Sequence, residues 1–156
     1  MGTALANDAM AAFVKGNLRE LLKDEDLGPA ELQKLIAALA EGAKHDATLP
    51  DDAIDEDTKL LFEDFTCVGC HKFHELGKLG AAPDLTGYGS RQWIIGIISD
   101  PTQTRFYHDK NDRMPSYAKD PSDPAGNILS SRQVAILADW LRGKWYEPEE
   151  EAEIGD

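Results

Sequence analysis

Cys67-Val68-Gly69-Cys70-His71 constrains this chain more than any other stretch. It reads CxxCH, the attachment signature of a c-type haem. At this spacing two thiols add across the two vinyl groups of one porphyrin, and the histidine that follows supplies an imidazole as the fifth iron ligand. Gly69 removes a side chain where the short loop meets the macrocycle edge. A porphyrin held covalently cannot dissociate, so the protein can leave it partly exposed. An exposed haem edge is what electron transfer uses as its contact point.

Other uses of CxxC fit less well. A four-thiolate zinc site needs four cysteines, and the chain has two. Cys67, Cys70, His71 and His74 remain as a zinc set, but one cramped turn would supply all four ligands, without the usual loop between two pairs. A thioredoxin-like CxxC follows a strand in a βαβ pattern, and no such pattern is present.

The chain has 156 residues and a net charge of −13. That length suits one domain, or one domain with an extension. The charge argues against nucleic acid and anionic membranes as partners, and for a basic protein surface. No apolar run is long enough to span a membrane, and Met1–Gly16 lacks the basic and apolar regions of a signal peptide. Covalent haem attachment nevertheless takes place outside the cytoplasm. The expectation is a mature or excised part of an exported protein, periplasmic or otherwise extracytoplasmic, with membrane association only through its parent.

The apolar pattern is helical throughout. Met10, Phe13, Val14, Leu18, Leu21 and Leu22 predict a first helix from an Asn7 cap to about Leu22. Pro29 opens a second, with Leu32, Leu35, Ile36 and Leu39 as its stripe. Residues 45–54 read as a linker. Asp55 caps a third helix, which carries Leu60, Leu61, Phe62 and Phe65 into the haem motif. Ser90 caps a helix over Arg91–Ser99, and the last runs from Ser130 or Ser131 to about Trp145. Residues 77–89 and 101–126, rich in glycine and proline, read as loops. No segment alternates as a strand, so the predicted class is all-α.

A low-spin electron-transfer haem needs a sixth ligand. His74 lies too close to His71 in sequence to reach the opposite face. Met114, in Asn111-Asp112-Arg113-Met114-Pro115, sits in a proline-stiffened loop suited to hold a thioether over iron. His108 is the second choice.

The order CxxCH, Ala82-Pro83-Asp84-Leu85, Arg113-Met114-Pro115 and a helix ending Ala138-Asp139-Trp140-Leu141 resembles class I mono-haem cytochrome c, over about residues 55–145. More narrowly, residues 83–93 with Arg105-Phe106-Tyr107 and residues 111–115 are similar to c-type domains associated with cytochrome b in bacterial quinol-oxidising bc-type complexes. The resemblance implies one covalent haem c, a cytochrome b-type complex as electron donor, a place in a respiratory chain, and a class I cytochrome c fold. It also implies residue roles. The Pro83 carbonyl accepts a hydrogen bond from His71 Nδ1–H, fixing the ring. Leu85 packs on the His71 side of the haem. Arg91 and Trp93, which carry donors and begin the helix after the glycine loop, contact the haem propionates; Tyr88 and Tyr107 follow on the same reasoning. The helix bearing Phe62 and Phe65 crosses the terminal helix near Trp140.

One feature departs from that family. A minimal cytochrome c begins just before the CxxCH helix, whereas this chain starts some fifty residues earlier. The division expected is 1–50, an N-terminal two-helix extension; 51–146, the cytochrome c domain; and 147–156, an acidic tail. The extension carries an internal echo: residues 7–15 parallel 111–119, and residues 35–42 parallel 136–143. That suggests the tail of a preceding cytochrome-like repeat.

The functional expectation is one-electron transfer by a His71/Met114-ligated haem, not catalysis. The alternative is a haem enzyme or gas sensor with a displaceable sixth ligand, in which His108 or His74 would act as the distal acid–base group.

Overall fold

Four of the helix starts are written in the local sequence. The computed structural model describes residues 9–45, 50, 53–79, 82–111, 114–120 and 122–144. α1 is Ala9–Lys15 and α2 is Asn17–Leu21. The single helix expected to run to Leu22 is broken at Gly16 (φ −110°, ψ −86°), where glycine holds the helical conformation poorly; the expected cap, Asn7, lies outside the described residues. α3, Pro29–Lys44, begins with Pro29 in its first turn after Gly28. α4, Glu56–Asp64, is capped by Asp55, whose carboxylate accepts from the Thr58 amide and hydroxyl at 2.8 and 2.9 Å. α5, Arg91–Ser99, is capped by Ser90 Oγ, which accepts from the Trp93 amide.

α6, Ser131–Leu141, starts in a reciprocal capping box between Ser130 and Gln133. It ends before the expected Trp145 because Gly143 adopts φ +71°. The Lys144 amide then reaches the Asp139 carbonyl (2.9 Å) and the Gly143 amide the Trp140 carbonyl (3.0 Å). This pairing closes a helix C-terminus. Short 3-10 turns occupy Cys67–Gly69 and His108–Lys110. The described residues contain no strand beyond an isolated Phe73–Leu76 bridge. The all-α class holds.

Two hydrophobic clusters organise these helices. In the first, Leu35 of α3 is buried with Phe62, Phe65 and Phe73, and Cys67, Val68 and Leu85 pack at its edge. Phe62 and Phe73 stack with ring centroids 3.7 Å apart. In the second, Ile98 of α5 and Val134 of α6 enclose Ala118, with Met114 and Tyr117 packed against them. Backbone bonds from Tyr117 to Ile98 (3.2 Å) and from Ala118 to Ser99 (3.1 Å) fasten the irregular segment to the end of α5.

The expected crossing of α4 with the terminal helix is corrected here. α4 packs chiefly on α3, and α6 chiefly on α5. Phe62 and Phe65 turn to Leu35, while Trp140 remains 51% exposed. The physical reason lies in α3, whose Leu32, Leu35 and Leu39 offer an apolar stripe that covers the phenylalanine face.

α3 is thus built into the fold. Arg142 caps the end of α3, its Nη2 lying 3.2, 3.0 and 3.1 Å from the carbonyls of Ala43, Lys44 and His45. These are carbonyls the helix itself cannot satisfy. Gly89 (φ +76°) comes so near that a Cβ there would lie 2.9 Å from the Cβ of Ala43.

Candidate functional site around CxxCH

The CxxCH stretch leaves α4 through a kink. Thr66 adopts φ +58°, ψ +18°, a left-handed conformation that a β-branched residue reaches only under strain. The chain then coils tightly: the amides of Cys70 and His71 donate to the Cys67 carbonyl at 3.2 and 2.9 Å. Gly77 (φ +70°) closes the turn from behind. A Cβ there would sit 2.2 Å from the His71 carbonyl oxygen and 2.9 Å from that of Val68, so only glycine fits. Lys59 of α4 pairs with Glu56 (2.9 Å) and with Glu75 (2.8 Å), tying the same turn back to the helix. These hydrogen bonds raise its pKa and lower that of Glu75. At Gly69, by contrast, a Cβ would meet nothing within 4 Å; the chain's own packing does not call for glycine there.

Both cysteines are free thiols; Cys67 is half-buried and Cys70 exposed. Burial pushes the Cys67 thiol up, and its Sγ donates weakly to the Phe65 carbonyl at 3.8 Å. His71 is half-buried, with Nδ1 2.7 Å from the Pro83 carbonyl oxygen. A carbonyl can only accept, so Nδ1 carries a proton, and in the neutral ring the lone pair is on Nε2. That is the tautomer a metal-ligating histidine adopts, with the second nitrogen on a backbone carbonyl.

The Pro83–Thr86 segment forms a strap beside the motif. The Leu85 amide donates to the Lys72 carbonyl at 2.8 Å, next to His71, and the Leu85 side chain packs on the first cluster. Thr86 Oγ1 accepts from the His74 amide at 2.6 Å, and Lys72 Nζ donates to the His74 carbonyl. Asp84 Oδ1 caps the turn by accepting from the Thr86 amide at 2.8 Å. From the far side, Trp93 Nε1–H donates to the Asp84 carbonyl at 2.9 Å. Trp93 is buried and meets Tyr88 and Phe106 edge-on.

Arg91 and Trp93, expected at the haem propionates, have the following partners in this structure. The one polar hydrogen of the Trp93 ring is donated to the Asp84 carbonyl. Arg91 turns to α6, where Nε and Nη2 lie 2.7 and 3.1 Å from the two Asp139 oxygens. Tyr88 and Tyr107 are 47% and 42% exposed. Sequence reasoning uses Arg105 in the resemblance but gives it no role of its own; its Nε is buried without a hydrogen-bond partner. The signal for it is the placement of a cation directly before two aromatic residues in an acidic chain.

Met114 is half-buried on the second cluster, while Cys67 and Val68 border the first. Asn111 clamps it on both sides, its Nδ2 donating to the Met114 carbonyl (2.7 Å) and its Oδ1 accepting from the amide (3.3 Å). Asp112 and Arg113 lie outside the described residues. His74 is buried, with its ring edge-on to Phe73, and lines a small cleft with Leu39, Gly42 and Tyr88. His108 is exposed at φ +49°, beside Asp109 (3.1 Å). Among the described residues no three His, Cys, Asp or Glu side chains are grouped so that they could hold a metal ion.

The donor set fits a c-type haem: two unpaired thiols at CxxC spacing, an imidazole in the ligating tautomer, and a buried cationic nitrogen without an acceptor nearby. No described helix is long and apolar enough to cross a membrane. Comparisons with protein-family models, with curated proteins and with solved structures returned no match for this chain.

Proposed function

We propose that this chain carries one covalent haem c and relays single electrons. The observation that carries the reading is the 2.7 Å approach of His71 Nδ1 to the Pro83 carbonyl, because it leaves Nε2 ready to bind iron. When bound, the haem supplies a one-electron Fe(III)/Fe(II) couple. The residues do the rest. Cys67 and Cys70 add their S–H bonds across the vinyl groups, sulfur to one carbon and hydrogen to the other. The Pro83 carbonyl fixes the imidazole plane and makes it a stronger donor. Met114, whose backbone Asn111 clamps, would supply the second iron ligand, and Met/His ligation would raise the potential. Trp93 braces the strap through Asp84, and Leu85 lends it apolar contact. The class I cytochrome c fold belongs to this proposal, as does a working place in or beside a quinol-oxidising bc-type respiratory complex outside the cytoplasm.

The test is expression with a c-type maturation system. Haem that stays with the denatured chain supports the reading; its absence overturns it, and loss on double replacement of Cys67 and Cys70 places the attachment. In the oxidised protein, a far-red sulfur-to-iron band marks Met114 as sixth ligand. Met114→Ala should then keep the covalent haem, lose that band and fall in potential. A high-spin spectrum in the unmodified protein would favour a haem enzyme or gas sensor. With a net charge of −13, the preferred acceptor is a basic redox protein. Its association should slow steeply as the Debye length falls from about 10 Å at 0.1 M salt to about 3 Å at 1 M.

A further inference from the structure

α6 turns an apolar ridge outward. Ile136 and Trp140, four residues apart, are exposed, as is Leu141 beside them. Val134, Ala138 and Asp139 face the other way and are buried. Arg132 continues the ridge at the same spacing of four, and Lys144 follows just past the helix; both are exposed. The one acidic residue of α6 is Asp139, held by Arg91 at 2.7 Å. In a chain with 29 acidic residues against 16 basic ones, the outer face of α6 thus carries no carboxylate. An exposed tryptophan in an apolar patch with a charged rim is the kind of anchor that protein interfaces use.

The chain itself presents the complement. On α4 the exposed side chains are Glu56, Asp57, Leu60, Glu63 and Asp64, which recur at the three- and four-residue spacing of one helix face. Phe62 and Phe65 lie on the opposite side, turned to Leu35. Leu60 therefore sits in the middle of the outer face, with carboxylates about one turn away at either end. A leucine so placed matches the gap between Ile136 and Trp140, as ridges at a spacing of four interlock when helices pack. The acids then lie toward Arg132 and Lys144 in either helix direction, because both ends of α4 are acidic and both ends of the α6 ridge are basic.

We propose that the outer face of α6 is the docking surface for the outer face of α4 on a second copy of this chain. The contact joins two copies because, within one, α4 packs chiefly on α3 and α6 chiefly on α5. Two different surfaces meet, so the contact is heterologous, and copies add head to tail into rings or open chains. Net charge explains the place. Copies carrying −13 each repel one another, and contact is least opposed where one side lacks carboxylates and offers cations. The inference does not rest on the haem reading.

The experiment uses the full chain, expressed with a c-type maturation system. Sedimentation equilibrium follows it from micromolar concentrations to about 1 mM, where weak contacts register. The average mass should rise with concentration past that of a dimer. A monomer throughout overturns the proposal and assigns the α6 face to another protein. Trp140→Glu places a carboxylate on the α6 ridge, and Leu60→Glu places one where the ridge would bury it unpaired. Each variant alone should associate about tenfold more weakly or less still. Mixed, the two should associate again but stop at dimers, since the first retains the α4 face and the second the α6 face. No recovery on mixing overturns the proposal. Undiminished association of either variant alone does so too, as it would mean a symmetric contact through the face that variant retains. Should a variant lose its helical circular dichroism, carbodiimide crosslinking of mixed light and heavy-isotope chains of the unmodified protein decides. A light–heavy link between Lys144 and a carboxylate of α4 supports the contact; light–heavy links elsewhere, or none, overturn it.

Discussion

His71 Nδ1–H donates to the carbonyl oxygen of Pro83 across 2.7 Å. Because the acceptor is backbone, its direction is set by whatever holds the strap. Two bonds do so from the far side: Trp93 Nε1–H to the Asp84 carbonyl at 2.9 Å and the Asp84 amide to the Arg105 carbonyl at 2.7 Å. The imidazole plane is therefore fixed through a chain that runs from α5 to the motif.

Trp93→Phe tests that chain. The substitution keeps the ring in its buried place against Phe106 and removes only the indole donor. It leaves the Asp84 carbonyl without that partner, which should cost about 1–3 kcal/mol. Urea unfolding reads the loss as a lower midpoint at unchanged slope. In the haem-loaded chain the histidine ligand field should also broaden, as the ring gains freedom. Unchanged stability would mean that the tryptophan serves by ring packing alone.

Leu35→Ala asks whether the first fifty residues are an appendage or part of the core. Leu35 is buried among Phe62, Phe65 and Phe73, so truncation should cost about 2–5 kcal/mol. All three tryptophans, at 93, 140 and 145, lie outside the first fifty residues. A shared core predicts that the tryptophan-monitored transition moves to lower urea. An independent extension would leave that transition where it is.

Much of this fold is legible in the sequence, and what is not has a common cause. The caps at Asp55, Ser90 and Ser130 are local: each oxygen acts on an amide three residues on, so side-chain type and spacing suffice to find them. The strap at Pro83 is accessible only through resemblance, since nothing local brings it to His71 twelve residues away. Pairing between helices is not legible in this way. The stripes on α3 and α6 are both apolar, and their echoed positions Leu35 and Ile136 look interchangeable. Yet Leu35 is buried while Ile136 is 44% exposed. Which stripe covers Phe62 is settled by contacts distant in sequence, and periodicity carries no record of those. Arg105 enters the resemblance without a role for a related reason. A lone arginine is ordinary in sequence and becomes informative only when its Nε is seen to be buried and unpaired.

The segment bearing Met114 depends on one carboxylate. Asp100 Oδ1 accepts from the Thr102 amide (3.0 Å), the Thr102 hydroxyl (2.6 Å) and the Ser116 hydroxyl (2.9 Å). Ser116 lies two residues beyond Met114, so this oxygen joins the end of α5 to the segment that carries Met114. Burial acts to raise the Asp100 carboxyl, but the bonds from Thr102 and Ser116 outweigh it and hold the group below its ordinary value of 3.8. A carboxyl depressed in the folded state contributes stability that is fully present above the unfolded value. That contribution is lost as pH falls through the lower folded value. Asp100→Asn keeps an oxygen acceptor but removes the charge, and should cost about 1 kcal/mol at neutral pH, the excess of a charged over a neutral hydrogen bond. Below an ordinary aspartate value of about 4 the difference should shrink, because the native carboxylate too becomes neutral. Urea midpoints for both chains across an acid series measure this. A gap that persists undiminished at the acid end would mean that the amide disturbs the packing around Ser116, and that the charge contributes nothing.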